Sequence, residues 1–214
     1  MNNIVAINGS PKLKDSASGM LIEQIETILG TPITTYQALK LLRAGDSSEA
    51  ITETLNADAL IFVFPLYVDS LPAPLIKFLD ILERGNTNPR RKPRVYSVCN
   101  CGFYEAEHTR FALNIIENFC LHTGFAWGYG IGIGGGGFIT SQGKNMSKGP
   151  AANVYATLCE LSQTIQDGGA DKKNVFVTAK IPRWLYKIGA HMVWRQTAKK
   201  NKVDNTLMAK PYEQ

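Results

Sequence analysis

Residues 59–64, ALIFVF, form an unbroken apolar run, rich in β-branched and aromatic side chains and too short to cross a bilayer. A strand of that composition is covered on both faces, which calls for helices above and below a parallel sheet. The rest of the chain offers the matching parts. NIVAIN (3–8), ITTYQAL (33–39), RVYSVCN (94–100) and FAWGYGIGI (125–133) read as four further strands. Apolar residues at Met20, Leu21, Ile25, Ile28 and Leu29 mark a helix that starts at Ser16 or Ser18 and stops at Gly30 and Pro32. Helices are also predicted over 47–56, from 73 to 82 or 84, over 105–122 and over 150–166, with GGGG (134–137) as a loop. Five alternations predict right-handed βαβ units, hence a five-stranded parallel sheet doubly wound by helices.

Charge divides the chain. From Lys172 onward there are ten Lys/Arg and two acidic residues (+8), against thirteen basic and sixteen acidic before it (−3), which gives the formal +5. We read 1–170 as one α/β domain and 171–214 as a basic C-terminal helical extension. The opening MNNIVAINGS lacks a basic n-region and reaches Gly9 and Pro11 early, so no signal peptide and a cytoplasmic location are expected. Four cysteines without a C-x-x-C pair argue against a disulfide scaffold, and three scattered histidines show no ligand spacing; no metal is expected.

In a sheet of flavodoxin-like order, ligands bind beyond the carboxyl ends of the strands, between strands one and three. INGSPKLKDSAS follows strand one there. Gly9 allows a sharp turn and Pro11 fixes a bend. Ser10, Ser16 and Ser18 supply hydroxyls, Lys12 and Lys14 supply charge, and the next helix points its free N–H groups at the same place. The segment is neither G-x-x-x-x-G-K-[ST] nor G-x-G-x-x-G, which leaves a terminal phosphate monoester or, as the other reading, a solvated loop with a serine cap. After strand three, Pro65, Leu66, Tyr67 and Val68 offer apolar and aromatic surface to a flat ring, or simply cover the sheet end. Asn100, Cys101, Gly102, Phe103 and Tyr104 follow strand four, and GGGG follows strand five, where a backbone approaches or closes over a ligand.

GSPKLKDSAS, then ADALIFVFPLYVDSLPAPLIKFLD, then CNCGFYE, resemble the NADPH-dependent FMN reductase family of flavodoxin-fold proteins. Its pattern of G-S-P-[RK] followed by P-x-Y…P-A-x-[LM]-K-x-x-x-D occurs here in order, over roughly residues 1 to 167. The resemblance implies that Ser10, Pro11, Lys12, Ser16, Ala17 and Ser18 lie about the FMN phosphate. It puts Pro65, Leu66, Tyr67 and Val68 at the isoalloxazine edge, and Asn100, Cys101, Gly102, Phe103 and Tyr104 in a third contact loop. Lys77 and Asp80 match the pattern from within a helix and are given structural roles. The compact cysteine cluster of related iron–sulfur flavoproteins is missing.

The implied activity is transfer of a hydride from NADPH or NADH to FMN and onward to a quinone, a nitro- or azo-aromatic or a similar small-molecule acceptor. No side-chain acid or base is demanded, so no catalytic residue is assigned; Tyr104, Glu105 and the backbone near Val68 are candidates for shaping the acceptor site. An electron-carrying flavodoxin or a flavin-binding regulator without turnover is the rival reading. KIPRWLYKIGAHMVWRQTAKKNK reads as a basic helix from Pro182. Packing on its own domain or on a second subunit is preferred for it over a membrane surface, nucleic acid is not expected, and a homodimer or higher homo-oligomer is.

Overall fold

The computed structural model describes residues 3–86, 92–143, 145–169 and 172–203. It falls into two compact units, Met1–Lys180 and Ile181–Gln214. In the first unit the described residues run β1 (Ile4–Asn8), α1 (Ala17–Leu29), β2 (Thr34–Gln37), α2 (Ala38–Ala44), α3 (Ser48–Asn56), β3 (Ala59–Pro65), α4 (Ala73–Gly85), β4 (Arg94–Asn100), α5 (Arg110–Thr123), β5 (Ala126–Gly134), α6 (Gly136–Gln142), α7 (Ala152–Gln166) and β6 (Val175–Thr178). A 3-10 turn at Ala106–Thr109 leads into α5. The described residues of the second unit form the helix α8 (Arg183–Lys200) and its flanks.

The sheet order is β2-β1-β3-β4-β5-β6, every pairing parallel. The fold is therefore the flavodoxin-like α/β arrangement, with six strands where five were expected. The sixth, VFVT, lies in the stretch assigned to the basic extension. It is short and half-buried, so it shows too little alternation to be read. Side-chain bonds tether it: Asn174 Oδ1 accepts from Gly130 N at 2.7 Å, and Asn153 Nδ2 donates to Thr178 O at 2.7 Å.

Two helices also escaped the pattern. ALKLLRA, the tail of the predicted second strand and its sequel, is α2, which ends on Gly45 in the left-handed region. The expected glycine loop becomes the end of β5 and the start of α6, a helix opening on two of the residues least suited to one.

On one face, Val5 and Ile7 of β1 and Leu60, Phe62 and Phe64 of β3 join Leu75, Phe78 and Leu82 of α4 and Leu113 and Ile116 of α5 in a single core. On β3 the intervening residues Ala59, Ile61 and Val63 are equally buried, because α1 covers the strand from the other side and packs against α7. All carboxyl ends of the strands share one edge, and the order turns back at β1.

Candidate functional site

The loop from β1 to α1 is built by local hydrogen bonds. Asn8, the last residue of β1, accepts the Ser10 N–H on Oδ1 at 3.0 Å. Ser10 Oγ accepts from Lys12 N at 3.2 Å, and Lys12 Nζ donates to Asp15 O at 2.9 Å. From the end of β2, Gln37 Nε2 donates to Lys12 O at 2.8 Å. Ser16 caps α1, its Oγ accepting the Gly19 N–H at 3.0 Å. The turn thus leads the chain through Asp15, at a φ of 49°, into a capped helix start.

Ser18 sits in the first turn of that helix. Its hydroxyl is fully buried and has no hydrogen-bond partner. A buried hydroxyl without a partner costs about 1–3 kcal/mol, and Ser18 shares that condition with Thr54, Tyr96 and Ser97 of the same unit. An open cavity of about 420 Å³ lies against this loop, lined by Asn8, Lys14, Asp15, Ser16, Gly19 and Glu23 together with Thr140 of α6; Ser18 is not among its lining residues.

Gly9 serves a purpose other than the expected turn. It is absent from the positive-φ residues, and a Cβ there would stand 2.8 Å from Leu75 Cδ2 and 2.8 Å from Phe64 Cβ. Only glycine lets the loop root sit this close to α4 and β3.

After β3, Leu66 donates its N–H to Asn100 O at 2.8 Å and packs its side chain on the core. Tyr67 and Ser70 then exchange two backbone bonds, each of 3.0 Å, which close a two-residue hairpin on Val68 and Asp69. Both central residues are left-handed, at φ 50° and 57°. A β-branched residue is strained there, and this one stands 98% exposed at the tip with Tyr67 half-exposed behind it. Pro65 is partly covered.

The loop after β4 turns partly inward. Asn100 is buried with Oδ1 unpaired. Cys101 is 2% exposed, and its Sγ donates to Phe103 O at 3.6 Å and Glu105 O at 3.7 Å. Burial pushes this thiol up to about 11 and Cys99 well above the ordinary range, so neither is a ready nucleophile. Gly102 and Phe103 are exposed, and Phe103 stacks on His108 with ring centroids 4.5 Å apart. Tyr104 is half-covered, its carbonyl held by Thr178 Oγ1 at 2.9 Å. Between the hairpin tip and α5 lies a cavity of about 220 Å³ lined by Asp69, Glu107, His108, Arg110 and Phe111.

The glycine run behaves differently from the expected ligand loop. Gly134 and Gly136 make room for backbone: added Cβ atoms would run into Tyr104 O and, at 2.8 Å, into Ala106 N and Cys101 O. Gly135 and Gly136 donate to Phe103 O and Cys101 O at 2.6 and 2.7 Å. These glycines hold α6 against the third loop. Lys77 and Asp80 form an exposed surface pair at 2.7 Å on α4, and Arg84 joins Asp80 at 2.9 Å.

Three residues that shape this edge were missed in the sequence: Asn8, Gln37 and Thr140. Asn8 carried a signal, a carboxamide at the last position of an apolar strand, as at Asn100. Gln37 and Thr140 carried none, because Gln37 lies inside the expected second strand and the helix that presents Thr140 is not legible in the sequence.

Comparison with known proteins adds an independent line. The family model for NADPH-dependent FMN reductases matches residues 2–116, more than half the chain. Among curated proteins none matches the sequence. The fold is similar to the apo form of the NADH:FMN oxidoreductase EMOB, at TM-score 0.57 and 19% identity, over 80% of this chain and 92% of that one. It is similar to an NAD(P)H:quinone oxidoreductase from Methanothermobacter marburgensis, at TM-score 0.51 and 17% identity, over 70% and 98% of the two chains. It also resembles general stress protein 14 from Treponema denticola in complex with FMN, at TM-score 0.54 and 12% identity, over 75% and 99%.

Proposed function

The chain belongs to the NADPH-dependent FMN reductase family, and from that premise we propose which of its residues hold the flavin and what receives its electrons. The activity is FMN-dependent oxidation of NAD(P)H. Ser10, Lys12, Ser16, Ala17 and Ser18 receive the FMN phosphate. The observation that carries this is the start of α1, capped by Ser16 and opening on the cavity with Lys14 and Gly19, beside the point where strand order reverses. Pro11 keeps the loop bent, while Asn8 and Gln37 hold its backbone in place from the ends of β1 and β2.

Pro65, Tyr67 and Val68 lie along one edge of the ring, with Leu66 seating the hairpin on the core. Asn100, Gly102, Phe103 and Tyr104 border the other edge, and Cys101 holds that loop in shape by its two inward bonds. Bound there, FMN supplies the two-electron chemistry, accepting a hydride from NADPH or NADH and giving the electrons to an acceptor.

The acceptor we favour is a quinone. The similar fold of a protein described as an NAD(P)H:quinone oxidoreductase supports it, as does the exposed Phe111, which lines a cavity with Asp69 of the hairpin tip. Tyr104 and Glu105 shape the wall of that site. Exposed Phe111 and Ile115, one turn apart on α5, support a homodimer, and four free cysteines suit a reducing compartment such as the cytoplasm.

The test is anaerobic turnover with NADPH and a water-soluble benzoquinone. One quinone consumed per NADPH supports the reading. An FMN-loaded protein that oxidises no nicotinamide nucleotide would return it to the carrier or regulator class.

A further inference from the structure

The β-sheet unit leaves the basic extension unexplained. Residues 183–203 contain six Lys/Arg and no acidic residue. In α8, Arg183, Lys187, His191, Arg195 and Lys199 recur every fourth position and form one cationic ridge along the helix. The neighbouring ridge is Trp184, Ile188 and Met192, with Leu185 beside it, and all four are exposed. Trp194 is 74% exposed and lies ten residues from Trp184, about 15 Å along the axis. No helix among the described residues is long and apolar enough to cross a membrane.

We infer that α8 is a docking element for an anionic lipid surface, with Trp184, Ile188 and Met192 entering the headgroup–acyl boundary and the cationic ridge pairing with lipid phosphates. The charge has only one sign over 183–203, which complements a surface of diffuse negative charge. Four of its six cations are lysine. Lysine is depleted in protein–protein contacts, whereas a lipid surface accepts it without a fixed geometry. Tryptophan beside lysine suits the wet-to-apolar transition of a bilayer face. Exposed Leu185, Ile188 and Met192 have no counterpart in the backbone contacts that dominate nucleic-acid binding. The inference stands apart from the flavin site and does not depend on it.

The experiment floats the full-length protein with vesicles of phosphatidylcholine alone or mixed with phosphatidylglycerol. Flotation is followed together with tryptophan emission, at low and raised salt. The expected result is at least ~10-fold stronger binding to the phosphatidylglycerol vesicles, weakened by salt, with a blue shift of emission. The triple variant Lys187→Glu, Arg195→Glu, Lys199→Glu loses the preference for anionic vesicles. The variant Trp184→Ser, Ile188→Ser, Met192→Ser keeps the charge but loses the blue shift. Both variants keep NADPH oxidation, which shows that the sheet unit is intact. Equal, weak binding to both vesicle types would overturn the proposal. So would retention on duplex DNA without vesicle binding, or an oligomer that the apolar variant dissociates while vesicles have no effect.

Discussion

Asn8 Nδ2 lies 3.4 Å from Ser16 Oγ, and this bond ties the last residue of β1 to the cap of α1 across the whole intervening loop. Asn8 thereby braces both ends of the segment proposed to receive phosphate. Asn8→Ala would leave the Ser10 N–H buried and without its acceptor, at a cost of about 1–3 kcal/mol. Thermal melting should fall by several degrees, at roughly 2–4 °C per kcal/mol for a chain of this size. An unchanged melting temperature would show that the loop holds itself without the brace.

Ser18→Ala separates binding from stability. The hydroxyl has no partner within the chain, so the flavin-free protein should melt unchanged or slightly higher. Flavin affinity should fall ~10- to 100-fold, the equivalent of one hydrogen bond to a charged group at about 1.5–3 kcal/mol. Fluorescence titration of FMN into both proteins measures this. Equal affinities would move the phosphate elsewhere in the loop.

The strand pattern was legible because five strands carry either continuous apolar runs or β-branched alternation. What lay hidden were elements whose identity is set by neighbours. VFVT becomes β6 by pairing in parallel with Ile131–Gly134 of β5, while Asn174 and Thr178 bond its ends to their surroundings. GGFITSQ becomes α6 only because its glycines fit against the Cys101 and Phe103 carbonyls. The loops at the carboxyl edge were likewise visible as unusual chemistry. The inward turn of Cys101 and the close packing of Gly9 on Leu75 were not, since both depend on contacts far apart in sequence.

Val68 occupies a turn position that favours asparagine or glycine. Val68→Asn should raise stability by about 1 kcal/mol by removing the left-handed penalty of a β-branched residue. A rise of a few degrees in the melting temperature of the flavin-free protein would bear this out. A fall would mean that the Tyr67–Ser70 hairpin is not the relaxed state of the loop.

The thiols give a pH test. Burial raises Cys101 to about 11 and Cys120 to about 12, and places Cys99 well above the ordinary range. A raised pKa keeps the neutral thiol, so at pH 8 roughly a thousandth of Cys101 is thiolate, rising about tenfold per pH unit up to its pKa. Iodoacetamide labelling followed by peptide mass spectrometry should therefore find the partly exposed Cys159 modified first. Labelling of Cys101 should climb with pH. Cys101 labelled as fast as Cys159 at pH 8 would contradict the inward-facing loop.

The central claim is that the turn from Asn8 to Ser18 is a phosphate site serving a flavin. The most direct measurement is a paired titration of the flavin-free protein with FMN and with riboflavin, which lacks the phosphate, followed by visible absorption and flavin fluorescence. The account predicts FMN binding at least ~10-fold tighter than riboflavin, with the bound flavin bleached by NADPH in the absence of oxygen. Equal affinity for the two flavins, or none for either, would contradict it.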